Sequence, residues 1–409
     1  MNAREPNVVS HLDYDPTLPA VQADPYPYYA SLRAEAPVLW HERLHVWVLS
    51  RHADVLGLLR DARWSSNYLN TVPDADAGAT PGATPGAKPR QPWQVLLFMD
   101  SSEHSQLRRV ITRMLDERLI ASLAAHARTV AIDLLDRVRD QDRFDLINDF
   151  SAPLSLRVLT RLLGVADEDL PLIAEKAGEL SRLLDWSPSP TPLSRAADAG
   201  TSLIPFFLRV VEHKRRHPGD DLISALVDEA RQRKLRYSDI VSTAILLLAA
   251  GHVTSTHMVG NGALALLRTP PLLDAWKAGR YQTAQVLEEL LRFDPPVQTT
   301  PRTALTDMVV GGQEICRGQM ALGLHGSANR DSSVFADADT LDPGRRAGRS
   351  LSFGAGPHFC IGAALARATG AMTFDTLIER CPNLHLVDEP LRWMPTVTQR
   401  GLVTLSVAR

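Results

Sequence analysis

Cysteine is scarce in this chain: three in 409 residues, at Cys316, Cys360 and Cys381. Thiols so few and so widely spaced build neither a disulfide framework nor a zinc-ligand cluster. The ordinary place for a lone cysteine is a small buried apolar site, and that is the reading for Cys316 and Cys381. An excess of charge of one sign is also missing. With 44 Lys and Arg against 47 Asp and Glu, the net charge of -3 gives no global case for nucleic acid. The opening MNAREPNVVSHLDYDP has no apolar run, so neither a signal peptide nor a membrane anchor is expected there, and a cytoplasmic location is. There is no glycine-rich dinucleotide fingerprint and no whole-domain repeat. Apolar content of 44% with 22% charge is that of a globular chain long enough to bury a large core.

Helical periodicity is abundant. Leu107, Val110, Ile111, Met114 and Leu115 fall on one face of an amphipathic helix, and Ala131, Leu134, Leu135 and Val138 repeat the spacing. The longest candidate runs from Asp239 to about Thr269, with Ser238 as N-cap and Pro270-Pro271 as stop. Ile245 to Gly251 is apolar nearly all round, which predicts a core helix. Thr254, Thr256, His257 and Asn261 argue against a membrane span. Short β-like runs are few: 38–40, 46–49, 308–310 and 402–407. The fold class expected is mainly α with small β-sheets. Two segments read as loops. Residues 70–93 carry GATPGATPGA and cannot supply a packed core, so they are a disordered insert or a mobile lid. Residues 185–192 break two helices.

Cys360 stands apart because of its setting, Phe353-Gly354-Ala355-Gly356-Pro357-His358-Phe359-Cys360-Ile361-Gly362. Glycine reaches backbone angles closed to other residues and lets main chain approach a flat ligand. The run 361–380 looks helical, and a helix N-terminus offers free N–H groups and partial positive charge, both of which lower a thiol's pKa. A sulfur so presented suits a haem iron as its single protein ligand. A core cysteine beside a glycine turn is the bland alternative for a shorter match.

The ten-residue string resembles the haem-thiolate loop of the cytochrome P-450 family, F-G-x-G-x-H-x-C-x-G, at every fixed position. The motifs span about residues 100 to 362, and the order of elements fits nearly the whole chain. The resemblance implies a cytochrome P-450 fold in a single domain over 1–409, with a long distal helix, a proximal cysteine loop and haem b (iron protoporphyrin IX). It implies that Cys360 is the iron ligand and that Phe353, Gly354, Gly356 and Gly362 shape its loop. Glu289-Leu290-Leu291-Arg292 is similar to the family's E-x-x-R helix, which implies a buried Glu289–Arg292 pair recruiting Arg345. On its own that spacing is a common surface ion pair. His104 and Arg108 resemble the family's H-x-x-x-R, and with Arg302 and His358 they are the implied partners of the two haem propionates. Taken singly, each is a solvated charge.

Ala249-Ala250-Gly251-His252-Val253-Thr254-Ser255 resembles the family's oxygen-side groove. There Gly251 would free space for oxygen, and Thr254 can bond back to the carbonyl of Ala250, with Ser255 beside it. A core threonine satisfied in that way is the bland alternative. One position departs: the family's acid before the threonine is Val253 here. Three consequences stay open: relay by water at Thr254 and Ser255 or by a substrate group, poorly coupled turnover, or a different oxidation such as coupling or nitration.

The resemblance places substrate contacts at about 64–98, 183–205, 246–254, 297–300 and 397–402. These segments carry Trp64, Trp93, Leu97, Trp186, Leu247, Val297, Val397 and Thr398, with Trp186 equally at home in a core. The resemblance implies a small, largely apolar organic substrate, a bacterial secondary metabolite free or held on a carrier protein. With no reductase domain fused, electrons are expected from a separate ferredoxin and ferredoxin reductase. Arg109, Arg113 and Arg349 are candidate contacts for them, or simply a solvated face. A haem-binding partner or sensor without oxygenase activity is the competing class.

Overall fold

The computed structural model describes residues 13–67, 95–100, 102–186, 190–232, 235–345 and 350–409. Residues 70–93 and Arg349 therefore lie outside the described residues, as does Trp93.

Helices carry most of the described chain, as the periodicity predicts. The longest, Tyr237–Leu267, crosses the molecule and is packed on many sides. Its composition would suit a membrane span, yet 72% of its most apolar window is buried inside the fold. Its start differs from expectation. Arg236 is the N-cap, and Ser238 sits inside the first turn. Asp239, three residues on, accepts the Arg236 backbone N–H at 3.0 Å and its guanidinium at 3.0 Å. An acidic group at that position satisfies an orphan donor and suits the positive helix end. The helix ends at Leu267, and Pro270 and Pro271 open the next one, Pro270–Lys277, where a missing N–H costs nothing.

Two large apolar clusters surround the long helix. One joins Met258, Val259, Ala263 and Leu264 to Leu134, Phe150, Leu287, Leu290 and Phe374. The other joins Ile240, Val241, Ile245 and Leu248 to Leu159, Leu163, Phe206 and Phe207. The helix Ser102–Met114 buries Leu107 and Ile111, the face the spacing predicts. The break before Pro190–Arg216 is shorter than read, since helix resumes at Pro190.

Strands form at each β-like run, and also where none was read, among them Trp64–Ser65, Thr299–Ala304 and Met320–Leu324. A five-stranded sheet orders Val38–His41, Val46–Leu49, Met320–Leu324, Thr299–Ala304 and Trp64–Ser65. Trp47 pairs parallel with Ala321, and Arg302 pairs antiparallel with the same residue. The run 402–407 divides between two sheets. Leu402–Thr404 pairs with Arg392–Trp393, and Ser406–Ala408 with Arg143–Asp145.

Candidate functional site

The loop around Cys360 is closed by its own backbone. The Cys360 N–H donates to the Phe353 carbonyl at 2.8 Å, and Gly354 N–H to the Leu351 carbonyl at 2.8 Å. Gly354 and Gly356 adopt φ of +71° and +68°, the left-handed region that glycine enters freely. At Gly356 a Cβ would also strike the Leu59 carbonyl oxygen. Gly362 is different: its φ is -89°, and a Cβ there would meet no protein atom within 4 Å.

The helix after the loop runs Ala363–Arg380 with Gly362 as N-cap, so it starts two residues later than read. That weakens the expected helix effect on Cys360. Although Cys360 is exposed, desolvation by the surrounding loop pushes the thiol up, opposed by the Gly362 N–H and by Arg108 and Arg367, so the expectation of a lowered pKa fails for the protein groups alone. Arg367 was not singled out in the sequence. It stacks over Phe353 at 4.3 Å and pairs with Glu288.

The Glu289–Arg292 pair is buried and bidentate, with Arg292 Nε to Oε2 and Nη2 to Oε1 both at 2.7 Å. Arg345 Nε reaches the same Oε1 at 3.3 Å, and the Asp342 N–H donates to it at 2.9 Å. Arg292 further donates to the carbonyls of Asn329 and Ala338, each at 2.8 Å, and of Thr340 at 3.0 Å. Asn329 then carries the network to the cysteine loop. Its Oδ1 accepts the Leu351 N–H at 2.7 Å, and its Nδ2 donates to Ser352 Oγ at 2.9 Å. His325 braces the same stretch from the other side, through Nδ1 to the Leu351 carbonyl at 2.7 Å. A lone Asn and His gave no periodic or motif signal, so neither was found in the sequence.

Four basic groups converge near the loop. His104 is 3% exposed and its ring lies on His358 with centroids 4.3 Å apart. Burial, then Arg302, His104 and Arg108, hold His358 down to about 3. Burial pulls Arg302 down to about 10, with Asp100 opposing. Burial and Arg108 lower His104. The hydrogen bonds of the two arginines run to backbone, Arg302 Nη1 to the Pro301 carbonyl at 2.8 Å and Arg108 to the Phe359 carbonyl. His104 Nε2 is buried with no protein partner. A cluster of donors that repel one another fits an anionic guest. A neighbouring open cleft touches two of these donors, His104 and Arg108, and is otherwise lined by Ser105, Arg109, Thr112, Arg113, Gly356 and Pro357; Arg302, His358 and Cys360 lie outside it. These donors, one soft sulfur and the open side of Gly362 fit haem with its propionates. Among the described residues no cluster of three or more His, Cys, Asp or Glu offers a rival metal site.

On the long helix, Thr254 Oγ1 donates to the Ala250 carbonyl at 2.7 Å, as the sequence implies. Gly251 plays another part than expected. Its Cβ would lie 2.7 Å from Leu159 Cδ2, so the bare Cα admits the neighbouring helix Ala152–Leu163 rather than a ligand. Val253 is 8% exposed and presents no proton-bearing group. Ser255 is half-buried.

Of the substrate segments, the structure ties two together. The Asp185 carboxylate accepts the N–H groups of Val397 and Thr398 at 2.9 and 2.7 Å, and the Trp186 N–H donates to Thr398 Oγ1 at 2.8 Å. Burial raises Asp185 to about 6. Leu183 and Leu247 pack in the cluster that holds Leu159 and Ala249, while Val297 bridges to Gln399. Leu97 lies in the short turn Leu96–Phe98. Trp186 packs on Leu44, Val46 and Leu322, and Trp64 is core to the five-stranded sheet, so both serve packing. Arg113 pairs with Glu229, which removes it as a free cation, while Arg109 is exposed.

Comparison with known proteins agrees with this geometry. A family model described as Cytochrome P-450 matches residues 281–402. The chain is 33% identical over 395 residues to a vitamin D(3) 25-hydroxylase of Pseudonocardia autotrophica, covering 94% of this chain and 93% of that one. It is 30% identical over 386 residues to a biotin biosynthesis cytochrome P-450 of Bacillus subtilis, covering 94% and 96%. Among solved structures, that of P-450 BioI with an acyl carrier protein bearing hexadec-9Z-enoic acid superposes with a TM-score of 0.84 at 29% identity, over 95% of this chain and 98% of that one.

Proposed function

The chain belongs to the cytochrome P-450 family of haem-iron monooxygenases, and from that premise we propose that it inserts one oxygen atom from O2 into a small, largely apolar organic substrate of bacterial secondary metabolism. The observation that carries the reading is Cys360, held in a backbone-closed loop beside four converging donors. Bound there, haem b supplies the activation of dioxygen and the transfer of its oxygen atom.

The protein's own part is positioning. Cys360 gives the sulfur that holds iron. Arg108, Arg302, His104 and His358 hold the propionates. The Glu289–Arg292–Arg345 set and Asn329 fix the loop that carries the sulfur. Thr254 orients water or oxygen at the turn beside Ala250. Leu97, Leu247, Val297, Val397 and Thr398 line the substrate and exclude water.

Electrons come from a separate ferredoxin and its reductase, with Arg109 on the face they meet. A substrate carried as an acyl group on a carrier protein is supported by the likeness to P-450 BioI, whose solved structure holds one. A second reading, oxidation without hydroxylation, is favoured by the apolar side chain of Val253. Purified protein should show the reduced, carbon monoxide-bound absorption of a thiolate-held haem, lost in Cys360→Ser. With the right substrate, reductant and O2 are consumed and the product gains one oxygen by mass. Substrate-dependent consumption with a product lacking that oxygen would move the assignment to the second reading.

A further inference from the structure

We propose that His257 carries protons to the oxygen-side turn of the long helix, in place of the carboxylate that this chain lacks at Val253. The inference rests on the monooxygenase reading and deepens it. The insertion consumes one O2, two electrons from the external reductant and two protons, and yields one inserted oxygen and one water. The protons have to reach a buried turn, and Val253 cannot pass them.

His257 lies three residues beyond Thr254 on the same helix. Residues so spaced are neighbours on a helix face, with Cβ atoms about 5–6 Å apart. His257 is 4% exposed, and neither ring nitrogen meets a protein donor or acceptor. A buried imidazole has one N–H to give and one lone pair to fill. With no protein group at either, both nitrogens are left to water or to a reacting group. The Nδ1 edge of the ring rests on Gly401, where a Cβ would collide with Nδ1, Cγ and Cε1, and Nε2 lies on the other edge. Gly401 and Arg400 in turn line a cleft at the surface, whose wall also carries Gln22, Gln298, Thr396 and Gln399. Those polar side chains stand among apolar ones such as Val21, Trp393 and Met394, and the cleft has room for about one ordered water. Asn261, one turn further along, fixes the arrangement by donating Nδ2 to the Arg400 carbonyl at 3.0 Å. The imidazole thus lies between Gly401, on the wall of that cleft, and the Thr254 turn.

The proton balance is simple. A proton from bulk solvent, relayed by water in the cleft that is left neutral, goes to the free ring nitrogen, while the N–H on the other nitrogen leaves toward the turn. The ring ends neutral as the opposite tautomer and is reset when it turns over. Burial, with His252 nearby, holds His257 at about 4, so the ring stores no charge between transfers. Thr254 Oγ1 donates to the Ala250 carbonyl and so keeps its lone pairs for an incoming donor.

His257→Leu should keep the carbon monoxide spectrum and substrate-induced spin shift of the parent. Its product per electron from the external reductant should fall at least fivefold. Turnover with hydrogen peroxide, which brings oxygen, electrons and protons together, should change less than twofold. Gly401→Ala, which pushes the ring aside and keeps it present, should show the same split. Equal loss in both assays means a packing role and overturns the proposal, as does unchanged coupling. Independently of any variant, 15N-labelled histidine in the reduced, carbon monoxide-bound protein should show the His257 ring N–H exchanging with solvent within seconds. Exchange over hours overturns the relay even if the variants fail to fold. Failure of the monooxygenase reading is distinguishable, because the parent itself would then consume no reductant with substrate.

Discussion

Removing Arg292 should cost more than removing Glu289, although the two form one ion pair. Glu289→Ala strands a guanidinium that keeps three carbonyl acceptors, those of Asn329, Ala338 and Thr340. Breaking a buried pair from one side typically costs about 3–5 kcal/mol, and the retained bonds place this variant at the low end. Arg292→Ala leaves the carboxylate with Arg345 and the Asp342 N–H still in reach. It also orphans the carbonyls of Asn329 and Ala338, at about 1–3 kcal/mol each where no water enters. Thr340 is spared, since Arg345 also donates to its carbonyl at 3.1 Å. The cost therefore falls on the stretch that leads through Asn329 to Leu351 and Ser352, immediately before the sulfur loop. Haem content and the thiolate-type carbon monoxide spectrum, compared for equal amounts of soluble protein, read this directly. Glu289→Ala should retain a minor thiolate-held fraction and Arg292→Ala essentially none. Asn329→Ala should lose thiolate ligation while leaving the pair intact. Full, parent-like haem loading in Arg292→Ala, or a reversed order, refutes the reasoning.

Gly356→Ala meets both a left-handed backbone and the Leu59 carbonyl, so soluble yield should collapse. Gly362→Ala meets neither; apoprotein stability should stay within about 0.5 kcal/mol of the parent while haem affinity falls, as measured by transfer to an apo-globin. Arg302→Leu removes a charge-assisted donor, worth about 1.5–3 kcal/mol, and should speed haem loss roughly 10–100-fold in the same transfer assay. Burial raises Asp185 from the ordinary carboxylate value of 3.8 to about 6, so its contribution to stability is fully present below pH 3.8 and is lost as pH rises through 6. Asp185→Asn should therefore stabilise the protein at pH 7.5, by up to about 2 kcal/mol, and do little at pH 4.5, read from urea midpoints at both values.

The parts legible in the sequence are those where one segment holds the whole pattern. The cysteine loop, the Glu289–Arg292 spacing and the apolar length of the long helix are each complete within a few turns of chain. The parts that escaped depend on residues far apart in the sequence. Asn329 matters because it touches both Arg292 and Leu351, and nothing near Asn329 announces that. Gly251 suited an opening for oxygen until Leu159, from another helix, turned out to occupy its bare side. Ser238 lost the cap because Asp239 serves Arg236 instead. Arg113 looked free for a partner, and Glu229 from another helix holds it.

The bonds from one carboxylate to Val397 and Thr398 join stretches 212 and 213 positions apart in the chain. A bulky guest pushing on either stretch has to part both bonds before it gains room. These bonds offset part of the cost of burying the carboxylate, and the fastening bears on how long a product lingers. Turnover in this enzyme would then be timed by its exit.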